Sequence, residues 1–201
     1  MNRKKSIGVV LKKQFPRHQK ISLLDQTFGR IEGVPTSLHA IARVSHGSLV
    51  EYVVEPQGQV YFLHEMQLIE NMHYSSEQDI LFFHHVLEMI YYGVPVGAIP
   101  DDIYELLTSI QRHLTHVCTK PSMKKLSIGK LFVLLGADVD GSVENILKEA
   151  LRFHDILEMI SIEIDQTSEN ALDAWIHQYI QTHPFSHMFK TIHFLNDVRR
   201  S

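Results

Sequence analysis

This sequence has few of the features that secreted or membrane-spanning proteins need. Cys118 is its single cysteine, so the chain cannot form an internal disulfide. No apolar run approaches the roughly 20 residues that cross a bilayer, and the N-terminus has no apolar segment followed by a small-residue cleavage site. These absences predict a cytoplasmic protein that makes no membrane contact.

The motifs of several enzyme classes are also missing. The sequence contains no GxSxG nucleophile elbow, no GxxxxGK(S/T) phosphate loop and no GxGxxG dinucleotide turn. Cys118 has no activating neighbour beyond His116. The adjacent acids Asp101 and Asp102 are more typical of a helix N-terminus than of an acid–base pair. We therefore expect a protein that is not an enzyme and uses no cofactor.

Fourteen histidines raise the question of a metal site. His116 and Cys118 are two residues apart, so they do not share a helix face. His183 and His187 are four apart, but Pro184 follows the first and the glutamate of an HExxH site is absent. Structural zinc sites usually contain paired cysteines at tight spacing, so the sequence predicts no metal site.

The chain does have a concentration of positive charge at its start. Residues 1–30 contain eight lysines and arginines and one acid, Asp25, for a net charge of +7. Because the whole chain is −4, the remaining 171 residues carry −11. Such charge separation favours a polyanion-binding site. The alternative is a solvated strand face preceded by a disordered basic leader.

Short strands account for the first 70 residues. Apolar residues alternate with others over Ile7–Leu11 and Ile21–Leu24, and Gly29 is typical of the turn or bulge that ends the second strand. Further strands are predicted at 30–35, 38–44, 49–54 and 59–63, with a type I turn over 55–58. About five strands with no intervening long helix predict a small antiparallel barrel of the oligonucleotide-binding (OB) type.

The apolar period changes after Asn71. Ser75 and Gln78 have the spacing of a capping box, and Ile80–Tyr91 follows with helical periodicity. Further helices are predicted from Asp101 to before Pro121 and over 124–135, 142–162, 171–181 and 184–198. The predicted fold class is therefore α+β, with an OB-like antiparallel β-barrel domain at residues 1–73 and an all-helical domain at residues 74–201.

Several short sequence motifs occur in an order similar to that in the bacterial recombination mediator RecO family. The first is IGVVLKKQFPRHQKISLLDQTFGRI, which is similar to the opening of that family. Leu49–Tyr52 and Leu63–Asn71 follow where its last barrel strands enter the helices, and residues 87–107 are similar to its first helical hairpin. FVLLGADV and the C-terminal KTIHFL continue the resemblance, which covers nearly the whole chain.

The resemblance implies a non-enzymatic mediator of DNA repair and homologous recombination. Such a protein binds single- and double-stranded DNA, helps to displace single-strand-binding protein, promotes annealing and works with RecR. Many members carry a four-cysteine zinc module after the Leu-Leu-Gly helix, whereas residues 138–145 here contain no cysteine. In the barrel loop at 35–48, where many relatives are rich in Arg and Lys, the basic residues are Arg43, His39 and His46.

We expect the cations of the barrel to contact DNA phosphates without base readout. The predicted DNA-binding residues are Arg3, Lys4, Lys5, Lys12, Lys13, Arg17, Lys20, Arg30 and Arg43, of which the first three would form a flexible basic arm. The alternative is a protein–protein adaptor that keeps the RecO-like scaffold and does not bind DNA. The two differ in whether the cations cluster on one barrel face or scatter.

Overall fold

The structure, a computed structural model, describes residues 3–14, 19–57, 60–139, 141 and 143–190. Five strands form the N-terminal part: β1 (Lys4–Lys13), β2 (Ile21–Asp25), β3 (Gly29–Pro35), β4 (Leu49–Gln57) and β5 (Val60–Glu70). They close into a barrel in the order β1-β2-β3-β5-β4, in which only the closing β3–β5 pair is parallel. The predicted OB-like barrel is confirmed.

The interior of the barrel follows the predicted alternation in β2, whereas in β1 Val10 faces the core instead of the predicted side that begins at Ile7. One side of each strand supplies a buried apolar core that includes Val10, Leu23 and Ile31. The interior also holds one carboxylate, Asp25, which is 2% exposed. Its Oδ1 accepts from the amides of Thr27 and Phe28 at 2.6 and 2.7 Å, and its Oδ2 accepts from the Tyr52 hydroxyl. Burial, reinforced by the Asp25 charge, raises the pKa of Tyr52 well above its usual value.

Two predictions within the barrel are wrong. Residues 38–44 contain the helix α1 (Leu38–Ala42) instead of a strand, because burial of Ile41 and Val44 three residues apart favours a helical turn. The predicted turn at 55–58 is wrong because residues 55–57 belong to β4: Glu55 pairs with Phe62, and Gln57 with Val60. Gly58 lies outside the described residues. The cross-strand partners in β5 outweigh the turn preference of the proline in this segment.

Seven helices lie in the described residues. After α1 these are α2 (Glu77–Gly93), α3 (Asp101–Arg112), α4 (Leu114–Thr119), α5 (Pro121–Leu134), α6 (Glu144–Arg152) and α7 (Gln166–Thr182), with short 3-10 helices at Glu158–Ser161 and Ser186–Met188. The predicted α+β class is confirmed. Of the helix predicted over 184–198, the structure shows the second 3-10 helix, and residues 191–201 lie outside the described part. No helix in the described part of the chain is long and apolar enough to cross a membrane.

Local hydrogen bonds correct two helix boundaries. The box that begins α2 is one residue later than predicted, since Ser76 Oγ accepts from the amide of Asp79 at 3.2 Å and the Asp79 carboxylate accepts from the amide of Ser75 at 2.9 Å. The predicted helix over 142–162 is interrupted after Arg152. Ser109 Oγ there accepts from the amide of Ile156 at 3.0 Å, a tertiary bond that replaces a helical one.

The chain groups into two compact units. One comprises Met1–His73 with Leu87–Tyr104, and the other comprises Tyr74–Val86 with Glu105–Ser201. In the second unit α5 packs on α7, with the rings of Phe132 and Tyr179 4.3 Å apart. The predicted boundary between a barrel domain at residues 1–73 and a helical domain at residues 74–201 stays a prediction.

A buried histidine in the second unit predicts a loss of stability in mild acid. His85 is 3% exposed, and its burial lowers the pKa of its side chain to about 3. Below about pH 6.5 the unfolded state binds a proton that the folded state does not, so stability falls by up to about 1.4 kcal/mol per pH unit. Urea titrations between about pH 7 and 5 should show this loss, and His85→Leu should have a flatter dependence. Parallel curves for the two proteins would contradict the prediction.

Candidate nucleic-acid interface

One end of the barrel brings the end of β1, the start of β2 and α1 together. The amide of Gln14 donates to the carbonyl of Lys20 at 2.9 Å, so the two strands are joined where the β1–β2 connection begins. The amide of Lys13 donates to His46 Nε2 at 3.2 Å, which ties the end of β1 to the segment after α1. We call this region, defined by Lys13, Lys20 and Arg43, the α1 end of the barrel.

Lys13 stabilises the α1 end. Its ammonium donates to the carbonyls of Ile41 and Val44 at 2.8 and 2.5 Å, at the C-terminus of α1, where the helix dipole favours a cation. Partial burial lowers the pKa of Lys13. Carbonyl groups carry no net charge, so these hydrogen bonds hold the lysine in place without neutralising it.

Lys20 and Arg43 are exposed beside this contact. Lys20 directly precedes β2, and its carbonyl accepts from the amide of Gln14. Arg43 lies in the chain between Ile41 and Val44, whose carbonyls bind Lys13. None of the ion pairs formed by the described residues of the barrel includes Lys13, Lys20 or Arg43. The α1 end therefore presents three positive charges without a carboxylate partner. The predicted site residue Arg17 belongs to the connecting segment outside the described residues.

The cations at the N-terminus have a different setting. Arg3 Nε lies 2.8 Å from Glu55, and Lys5 Nζ lies 2.8 Å from Glu51, while Lys4 Nζ lies 5.9 Å from the ring centre of Phe28. Hydrogen bonds from Gln57 and Arg3 lower the pKa of Glu55.

The prediction of a flexible basic arm here is wrong. Lys4 and Lys5 belong to β1, where they pair with Val54 and Val53. Strand pairing with β4 therefore orders the residues that the sequence suggested as a basic leader, and the two acids in β4 offset part of their charge.

Lys12 and Arg30 have aromatic partners in the chain itself. Lys12 Nζ lies 4.3 Å from the ring centre of Tyr91, and the Arg30 guanidinium lies 4.4 Å from the same ring. Arg30 is only 8% exposed and donates from Nη1 to the carbonyl of Val94 at 2.6 Å. Both cations therefore stabilise the packing of residues 91–94 on the barrel. Sequence reasoning missed this role of Tyr91, because nothing local marks an aromatic residue as the partner of a cation 60 to 80 positions earlier.

The described residues offer little for metal binding or for nucleophilic catalysis. No three His, Cys, Asp or Glu side chains among them come together as a potential metal site. Burial raises the pKa of Cys118 to about 12, so its thiol stays protonated and is a weak nucleophile at neutral pH. Among the described residues, Lys13, Lys20 and Arg43 at the α1 end form no ion pair with an acid.

Comparison with known proteins adds no relative to this picture. No family model matches the chain, and no curated protein matches it.

Proposed function

We propose that this protein is a non-enzymatic DNA-binding mediator of homologous recombination and DNA repair, of the RecO type. The observation that carries the proposal is the α1 end of the OB-like barrel, where Lys20 and Arg43 are exposed and Lys13, Lys20 and Arg43 form no ion pair with a described carboxylate. Cations arranged in this way bind phosphates and release condensed counterions. The motif resemblance supports the rest of the proposal: binding to single- and double-stranded DNA, annealing, and action with RecR and single-strand-binding protein.

The first test is a DNA-binding titration at several salt concentrations. Three phosphate contacts predict a slope of about −2 to −3 in a plot of log affinity against log salt. A threefold rise in salt should then weaken binding by roughly tenfold to twentyfold. Unrelated sequences should bind equally, because phosphate contacts carry no sequence information. A folded protein that binds no DNA at low salt would contradict the proposal.

A second candidate function is a protein–protein adaptor that does not bind DNA. The observation that favours it is the internal use of the predicted cations. Six of them have partners within the chain: Arg3, Lys4, Lys5, Lys12, Lys13 and Arg30. The same titration separates the two functions, since an adaptor would stay folded and show no salt-dependent DNA binding.

A further inference from the structure

The face of the barrel that usually binds oligonucleotides is covered in this protein. OB folds bind nucleic acid on strands 2 and 3 and the neighbouring loops, where aromatic side chains stack on bases. Here Leu23 and Ile31 point into the core, so Ser22, Leu24 and Arg30 alternate outward. Yet Ser22 and Leu24 are 0% exposed and Arg30 is 8% exposed.

Residues 91–98 of the same compact unit cover this face. The amide of Arg30 donates to the carbonyl of Ala98 at 2.9 Å, and the amide of Gly97 donates to the carbonyl of Arg30 at 2.7 Å. The approach is so close that a Cβ on Gly29 would lie 1.8 Å from the Ala98 oxygen. A gap that excludes a methyl group also excludes a nucleobase.

The aromatic ring on this face already has its partners. Tyr91 lies between Lys12 and Arg30, at 4.3 and 4.4 Å, and Tyr92 meets its ring edge-on at 4.9 Å. The cations that could hold a phosphate near strands 1 to 3 are thus bound to tyrosine and to a backbone carbonyl. Their contacts keep the face closed.

We infer that nucleic acid crosses the α1 end of the barrel and that the outward face of β2 and β3 takes no part. Recognition then rests on the sugar–phosphate backbone, without bases stacked on the sheet, and it treats single strands and duplexes alike. This inference depends on the proposed DNA binding and specifies its site and its ligand chemistry. The inference also predicts that the other end of the barrel contributes little to DNA binding, because the charge of Lys5 there is paired with Glu51.

The test compares three fluorescent probes of about 20 nucleotides, longer than the roughly 4–16 that one OB fold covers. They are an oligothymidine, an abasic strand with the same number of phosphates, and a duplex. The abasic strand should bind within about threefold of the oligothymidine, because no base stacks on the protein in this arrangement. If bases did stack, each would contribute about 1–3 kcal/mol and its removal would weaken binding. Weakening by more than about tenfold on removal of the bases would overturn the inference while leaving DNA binding in place.

Two double variants with the same change of charge locate the site. K20A/R43A should weaken all three probes by about tenfold or more and flatten the salt slope by nearly two. K4A/K5A, at the other end of β1, should change affinity by less than about threefold. Thermal melts check that both variants fold, which we expect because all four replaced side chains are exposed. Equal losses in the two variants would overturn the assignment to the α1 end, and wild-type protein that binds none of the probes would refute the proposed function itself.

Discussion

Replacement of Gly29 by alanine should destabilise the first compact unit by more than about 3 kcal/mol. Gly29 has a φ of +69°, which costs a residue with a side chain about 1–2 kcal/mol. The added Cβ would also lie 1.8 Å from the oxygen of Ala98 and 2.5 Å from its carbonyl carbon. Both atoms belong to the backbone, so residues 91–98 must move away from β3 and break the hydrogen bonds of Arg30 with Ala98 and Gly97. Urea unfolding measures the loss.

Gly97 offers a matched control for this substitution. Its φ of +84° carries the same backbone cost, but a Cβ there would meet no atom within 4 Å. Gly97→Ala should therefore cost only about 1–2 kcal/mol. The difference between the two variants measures the steric part of the effect. If both variants lose the same stability, the close packing of residues 91–98 on β3 is refuted.

Leu107→Ala should lower the free energy of unfolding by about 2–5 kcal/mol. Leu107 is 0% exposed on α3, and its neighbours on the same helix, Leu106 and Ile110, are 2% and 0% exposed. Deletion of its branched end removes buried apolar surface and leaves a cavity that tightly packed neighbours cannot fill. Chemical denaturation monitored by circular dichroism gives the value, with an unchanged m value as the sign that the unfolding transition is otherwise the same.

Leu68→Ala on β5 is the control, because it makes the same substitution at an exposed position. Leu68 is 37% exposed, so its replacement by alanine creates no enclosed cavity and should cost less than about 1 kcal/mol. A loss below about 0.5 kcal/mol for Leu107→Ala would mean that its helix face is not part of the core.

Apolar periodicity was sufficient to predict most of the fold. The alternation in β2 identified Ile21 and Leu23, which do face the barrel core, since a period of two separates the two sides of any strand. In β1 the predicted side was wrong: Val10 belongs to the core cluster, whereas Ile7 is only half-buried. In the predicted helices, the apolar residues Leu106, Leu107, Ile110 and Leu131 are at most 2% exposed, whereas Leu135 is only half-buried, at the C-cap of α5. The predictions failed where tertiary contacts changed the local preference, as at α1 and after Arg152.

By itself the sequence determined the barrel, the change to helices after residue 71 and the excess of positive charge in the first 30 residues. Only the tertiary structure decided which of those charges face solvent. Arg30 binds a carbonyl 64 residues away, and Lys13 binds one 28 residues away, whereas Lys20 stays exposed. The physical reason is that net charge is a sum over residues, which composition reveals directly. The availability of each charge to a ligand depends on partners that are brought close only by folding.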